Sequence, residues 1–441
     1  MHTTVFEYGY LTCDKAASDE LGAKPISKRA FEYLKDVSLS AGESDTNKCL
    51  GLTKRFGHEL LQVKNYVGVL FTPTGEHIEV LPKIGRKSVT HEQAVSESRE
   101  MLLMMLQHLG SFRYVVSNQA NIASKQMPLL EAFINQFLQS VNTLVKRGLK
   151  SDYVTQEDNL RYQKGKLKIS QQIRHNIVNK HKFYVEYDEY LINRPANRLI
   201  KMALLKLSNY TKLATNQKLL RELQFALADV PTSKSVKQDI NALKLDRGMV
   251  EYHSPIAWAK LILDGFSPLS MKGDNSALSL LFPMEAVFES YVASVLRKQL
   301  PDGGELTTQA SSKYLVTHNQ RSQFQLKPDL LLTLPTNTTE PEYKELVLDT
   351  KWKLIDVEEH NYGLSQSDLY QMFAYGHKYL YGTGDLLLIY PAHSSFQKPI
   401  EYSFDYSDSL RLWVVPFVIS LTGDSTLEWP KALKLQAYKP H

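Results

Sequence analysis

Two carboxylates and an ammonium stand at the ends of apolar runs in the last third of the sequence. In ELVLDTKWKL, residues 345–354, an apolar run stops at Asp349-Thr350-Lys351. Sixteen residues before that run begins, Pro328-Asp329 opens a second one, LKPDLLLTL. Both read as buried strands. Side chains on a strand alternate between faces, so Asp349 and Lys351 share one side and Thr350 takes the other. If the strands pair through the PTNTTEPEY connection, Asp329 approaches that same face. Two buried like charges repel and lose hydration unless a cation sits between them. A hard divalent ion such as Mg²⁺ answers that need with one or two carboxylates and several waters. The lysine would orient or deprotonate a water, or steady charge building on a phosphate, which together make a hydrolytic site for phosphodiesters. Each fragment alone also reads as a solvated salt bridge. Their order on two apolar strands, with helices on either side, favours the chemistry.

Periodicity supplies the elements that must hold these groups. The spacing predicts a helix over 284–299, strands near 305–309 and 313–317, strands over 328–334 and 345–350, a helix over 365–380 and a strand over 385–391. That order belongs to a mixed α/β domain. Upstream, 60–73 and 76–84 read as strands joined by a turn around Thr74-Gly75, followed by a helix over 91–109. A second helix over 128–149 places Leu130, Phe133, Phe137, Val141 and Leu144 on one face and ends in Lys146, Arg147 and Gly148. Residues 161–190 read as basic and strand-rich, and 193–210 as a helix with Asn193 at its N-cap and Pro195 in its first turn. Residues 211–255 read as helical but polar. A composition shift at SPLSMKGDNS, near residue 270, predicts two parts: an α+β part over 1–270 and an α/β domain over 271–441.

The whole chain narrows the function classes. Its 441 residues, 43% apolar and 22% charged, are globular throughout and long enough for two or three domains. Lysine and arginine number 52 against 47 acids, an excess that suits a nucleic-acid partner without demanding one. Cys13 and Cys49, without CxxC spacing, point away from disulfides or a cysteine-built zinc site and toward a reducing compartment. No signal peptide is expected from MHTTVFEYGYLTCDK, and LRLWVVPFVISL is too short to span a bilayer, so a cytoplasmic protein without a membrane partner is expected. Neither a phosphate-binding GxxxxGK[ST] loop nor a G-x-S-x-G elbow occurs. The spacings of His175, His181 and His377 match no zinc pattern. Lys164, Lys166, Lys168, Arg174, Lys180 and Lys182 form the densest basic patch, with Tyr162, Phe183 and Tyr184 interleaved. It could track a phosphate backbone or be a solvated or partner-facing surface, and the latter is favoured.

Pro328-Asp329 with Asp349-Thr350-Lys351 resembles the PD-(D/E)xK nuclease motif. The next predicted helix carries Gln371 and Tyr375, spaced as in the Q-x-x-x-Y motif of the RecB-like branch of those nucleases. Those nucleases often aim a glutamate from the preceding helix at the metal, and Glu289 matches it better than Glu285. YVGVL at 66–70, IEVLPKI at 78–84, GKLKISQQIRHNI at 165–177, YDEYLINRPANRLIK at 187–201 and VLDTKWKL at 347–354 look like successive blocks of the McrC family. The first 50 residues and 211–255 match no block.

The resemblance implies a Mg²⁺-dependent endonuclease subunit of a modification-dependent (5-methylcytosine) restriction system, acting on double-stranded DNA. It implies Asp329, Asp349, Lys351, Gln371 and Tyr375 as catalytic residues and Asp329, Asp349 and Glu289 as metal ligands. It also implies a McrB-like AAA+ ring that binds the GTP and reads the modified DNA, its GTPase stimulated by the N-terminal part of this chain. A non-catalytic activator or assembly stalk with a degenerate nuclease fold is the alternative from another class. A free-standing nuclease is a third, made less attractive by the substantial N-terminal half.

Overall fold

The computed structural model describes residues 2–40, 49–72, 75–83, 90–109, 127–263, 279–335 and 343–433. Thr74 of the expected turn, the shift near 270 and most of the 335–343 connection lie outside these residues. The chain is mixed α/β and forms two compact units, one of Met1–Gly68, Thr72–Arg113 and Leu281–His441, the other of Val69–Phe71 and Tyr114–Leu280. The structure therefore does not divide the chain into 1–270 and 271–441. Its N-terminal segment shares a unit with the C-terminal part.

The first unit holds β1 (Glu305–Thr308), β2 (Leu330–Pro335), β3 (Tyr343–Thr350), β4 (Gly384–Pro391), β5 (Phe404–Asp405), β6 (Leu410–Val418) and β7 (Thr426–Leu427). They form one sheet in the order β1-β2-β3-β4-β6-β5, with β7 also on β6. β2 runs antiparallel to both its neighbours, β1 and β3, whereas β3, β4 and β6 run parallel. Parallel neighbours need a crossover, and the helix α2 (Gln366–Tyr379) supplies it between β3 and β4; α1 (Met284–Lys298) precedes β1.

The strands at the centre read as unbroken apolar runs because both faces are covered. Leu346, Val347 and Leu348 of β3 and Leu386 to Ile389 of β4 are fully buried. Met372, Tyr375 and Tyr379 of α2 pack with Val347, Leu386, Leu388 and Leu410 in one core. Each such side chain contributes roughly 1.5–3 kcal/mol of burial. Ser365 caps α2 by accepting the Asp368 N–H. Phe288 of α1 lies against Trp352 and Phe417 at 5.2 and 5.9 Å between centroids.

In the same unit, His2–Phe6 runs parallel to His77–Leu81. A second sheet orders Lys24–Pro25, Tyr10–Thr12, His58–Val63 and Leu50–Arg55. The single strand expected over 60–73 is thus two, His58–Val63 and Tyr66–Phe71, broken at Lys64-Asn65. The expected helix over 91–109 is His91–Leu106, and its buried Arg99 makes a two-pronged bond to Glu79 at 2.7 and 2.8 Å.

The second unit contains the helices Leu129–Arg147, Pro195–Leu207, Ala214–Ala226, Val236–Ala242 and His253–Leu263. Its three-stranded sheet orders Asp152–Leu160, Phe183–Leu191 and Lys166–Leu167. The segment expected to be strand-rich also holds a helix, Ile169–Asn176. Arg194, not Asn193, occupies the N-cap position of the following helix, and Asn193 instead accepts from the Arg198 guanidinium. The basic patch is partly neutralised: Lys168 pairs with Glu157 and Glu186 at 2.8 and 2.7 Å, and Lys164 lies 3.8 Å from the Tyr187 ring centroid. Among the described residues, no helix is long and apolar enough to cross a membrane.

Candidate active site

The C-terminal end of β3 stops in a buried acid. Asp349 is 1% exposed, its backbone fixed opposite Leu388 of β4 by the parallel ladder. The ladder continues past the strand, with the Lys351 N–H donating to Ile389 O at 2.8 Å. Lys351 therefore returns to the Asp349 side, as alternation requires, and its ammonium lies 2.7 Å from Asp349 Oδ2. This buried ion pair is the polar contact of that oxygen.

Asp329 comes in on the strand paired with β3, as its spacing suggests, with Leu330 opposite Leu348. It stands one residue before β2, and its Oδ2 accepts both the Thr350 N–H and the Thr350 hydroxyl at 2.7 Å each. Thr350, on the other face of β3, thus positions this carboxylate. The Gln309 N–H donates to Asp329 O at 2.8 Å, while the Gln309 side chain donates to Glu289 on α1.

The face of α2 completes the set. Gln371 Oε1 accepts from the Lys351 ammonium at 3.0 Å, and Gln371 Nε2 donates to the Tyr375 hydroxyl at 2.8 Å. That hydroxyl donates in turn to Lys327 O at 3.0 Å, next to Pro328-Asp329. All six residues singled out from sequence, Asp329, Asp349, Lys351, Gln371, Tyr375 and Glu289, are brought into one neighbourhood.

Three contributors were not singled out there as site residues. Asp368 lies 3.9 Å from the Lys351 ammonium and 3.0 Å from that of Lys353. Its signal was available, because Asp368, Gln371 and Tyr375 recur at three and four residues along one helical stripe. Gln309 and Thr350 act through tertiary contacts that spacing does not announce.

The electrostatics are those of a site short of positive charge. Burial, and after it Asp329, raises the pKa of Asp349 despite Lys351. Burial raises that of Asp329 as well, offset in part by the Thr350 bonds. Glu289 is pushed up to about 7 by burial, then Asp329, with Asp349 adding to it. Burial alone would lower the Lys351 pKa, but Asp349, Asp368 and Asp329 outweigh it and keep the ammonium form. A set of buried carboxylates that raise one another's pKa fits a hard divalent cation that takes oxygen ligands and keeps most of its waters. Among the described residues, no three His, Cys, Asp or Glu side chains already converge as a cage.

The N-terminal strands reach this site. Trp352, immediately after Lys351, donates its indole N–H to Glu7 at 2.8 Å, and Lys83 donates to Trp352 O at 3.1 Å. Lys83 belongs to the IEVLPKI stretch, so two of the blocks noted in the sequence meet here.

No curated protein matches the sequence. A chain of the Thermococcus gammatolerans assembly of McrB AAA+ hexamers with bound McrC, a half-complex of a tetradecamer, aligns at a TM-score of 0.65 with 21% identity, covering 96% of each chain. A chain of the Thermococcus gammatolerans McrBC complex aligns at 0.47 with 21% identity, covering 68% of this chain and 88% of that one. At this identity the first likeness establishes the fold. The family model for the McrBC 5-methylcytosine restriction system component matches residues 61–391 of the 441, and the chain belongs to that family.

Proposed function

We propose that the chain is the Mg²⁺-dependent endonuclease subunit of a modification-dependent restriction complex, with a PD-(D/E)xK-type site in its C-terminal domain. The observation that carries this is the meeting of Asp329, Asp349 and Lys351 at the ends of two paired core strands, with the Gln371–Tyr375 stripe behind them. Asp329 and Asp349, with Glu289 farther out, would hold the ion. When bound, Mg²⁺ supplies charge neutralisation for the phosphate and lowers the pKa of a water.

The protein's own part is positioning. Thr350 pins one oxygen of Asp329, and the β3–β4 ladder pins Asp349. Asp349 and Gln371 aim the Lys351 ammonium. Its acid neighbours favour the ammonium form of that lysine in the metal-free site, and beside a bound ion it would steady negative charge on the phosphate or orient or deprotonate the attacking water. The part of the chain before the nuclease domain would carry the contact with a McrB-like AAA+ ring, which binds GTP, reads the modified base and is stimulated by this contact. The choice of partner is supported by the structural relative, described as McrB AAA+ hexamers with bound McrC. A cytoplasmic location goes with it.

The test is cleavage of modified duplex DNA with Mg²⁺, GTP and the ring, run beside GTP hydrolysis. Asp349→Ala or Lys351→Ala should lower cleavage at least about 10²-fold and leave stimulated hydrolysis in place. Near-normal cutting by the Asp349 variant would end the nuclease assignment. Loss of both activities together would make this strand a structural element.

A further inference from the structure

Residues Lys313–His318 and Arg321–Leu326 form a two-stranded sheet of their own, outside the seven-stranded one. Every position but Lys313 and Leu326, the pair at its root, is exposed, which is unlike the buried strands beside it. A lone hairpin is marginal in water, so its root must be held. Tyr379 does this by sharing its one hydroxyl proton between Ala310 O and Leu326 O, at 2.7 and 3.0 Å, and Tyr375 by donating to Lys327 O. The root then runs straight into Pro328-Asp329, which places the arm next to the candidate active site.

We propose that this hairpin is a DNA arm, which lies in a groove of the duplex and delivers the scissile phosphodiester to Asp329, Asp349 and Lys351. The inference rests on the nuclease reading above. Charge is the first argument: residues 309–328 carry Lys313, Arg321, Lys327 and His318 and not one Asp or Glu. Neutralising phosphates is what such a surface does best. Size is the second. Six-residue strands at about 3.4 Å per residue reach roughly 20 Å, and a two-stranded ribbon is one of the two elements that fit the major groove. The third is the turn, Asn319-Gln320, with both residues left-handed at φ 49° and 61°. It exposes amide side chains of the kind that read base edges. Phe324, within the second strand, is also left-handed at φ 59° yet 70% exposed, so burial does not explain its strained backbone.

The experiment measures binding of the full-length chain to a fluorescent 30-base-pair duplex by anisotropy, in EDTA, across a salt series. Wild-type binding should fall in the non-specific range of about 10⁻⁴–10⁻⁶ M and weaken with salt. Arg321→Ala should weaken it several-fold and reduce the salt slope by about one, and Arg321→Glu should weaken it further. Unfolding temperatures should stay at the wild-type value, because the tip is exposed. Asp349→Asn separates the two readings: it should abolish cleavage and still bind. An Arg321→Glu variant that binds duplex as wild type does overturns the arm and leaves the nuclease reading standing. The same holds if Arg321→Glu loses the ring partner instead of DNA. A wild-type chain that shows no duplex binding at low salt also overturns the arm. Normal cleavage by Asp349→Asn overturns the nuclease reading whatever Arg321 does.

Discussion

The Lys351 ammonium lies 2.7 Å from Asp349 Oδ2 and 3.0 Å from Gln371 Oε1, so one cation ties the last acid of β3 to the first helical turns of α2. Removing it strands a buried carboxylate. Lys351→Met should destabilise the metal-free protein by up to about 3–5 kcal/mol, the scale for breaking one side of a buried pair. The deficit must depend on pH. Asp349 already has a raised pKa, and without the ammonium it rises further. Folding then disfavours the ionised form, so the deficit is largest above the folded pKa and shrinks as acid protonates the group. Chemical unfolding in EDTA at pH 6 and 8.5 checks this; a deficit equal at both values would contradict it.

Tyr375 joins the helix stripe to the strand that brings in Asp329. Its hydroxyl takes a bond from Gln371 at 2.8 Å and gives one to Lys327 O at 3.0 Å. Tyr375→Phe leaves both partners short and should cost about 1–3 kcal/mol. Cleavage should fall by about 10- to 100-fold through misplacement of Lys351 and Asp329. Wild-type turnover in this variant would show that the stripe is packing alone.

Gly376 lets α2 approach the sheet. A Cβ there would sit 2.7 Å from Leu410 Cδ2 and 3.1 Å from Leu386 Cδ1. Gly376→Ala should therefore destabilise by about 1–3 kcal/mol through overpacking. Against it stands the helix-propensity gain of about 1 kcal/mol from replacing glycine, which leaves a net loss of up to about 2 kcal/mol. A rise in unfolding temperature would mean that the two leucines yield without strain.

The central sheet and its flanking helices were legible because burial on both faces writes itself as apolar runs, as in β3 and β4. The acids that end those runs stand out against them, which is why Asp329, Asp349 and Lys351 could be named. What escaped depends on partners distant in sequence. Glu7 bonds Trp352 across nearly the whole chain, and nothing local marks Glu7 as different from a surface acid. The helix Ile169–Asn176 was obscured by basic and β-branched residues, although Ile169, Ile173 and Ile177 keep a period of four. All three are more than 60% exposed, so the stripe lacks the burial that usually makes such a period decisive. The apolar run of β6 carries Pro416, which argues against a strand inside a sheet, yet the strand pairs with β4 from Leu410 to Phe417.

Glu289 offers the cleanest pH test of the candidate metal site. Its pKa is pushed up to about 7, chiefly by burial and then by Asp329, from an ordinary value of 4.5. A group raised by folding keeps its proton in the folded chain while the unfolded chain loses it. Its contribution is therefore fully present below about 4.5 and is lost as pH rises through about 7. Glu289→Gln has no such proton to lose. In EDTA the variant should match wild type near pH 4.5, and its advantage in unfolding temperature should grow to a plateau above pH 8. Mg²⁺ should act in the opposite sense, because it takes carboxylates only in their ionised form. The Mg²⁺-induced rise in wild-type unfolding temperature should increase from pH 6 to pH 8 and be smaller in Glu289→Gln. Parallel curves in EDTA would show that Glu289 is not the titrating group. A Mg²⁺ increment unchanged by Glu289→Gln would remove Glu289 from the ion's surroundings and leave Asp329 and Asp349 to hold it alone.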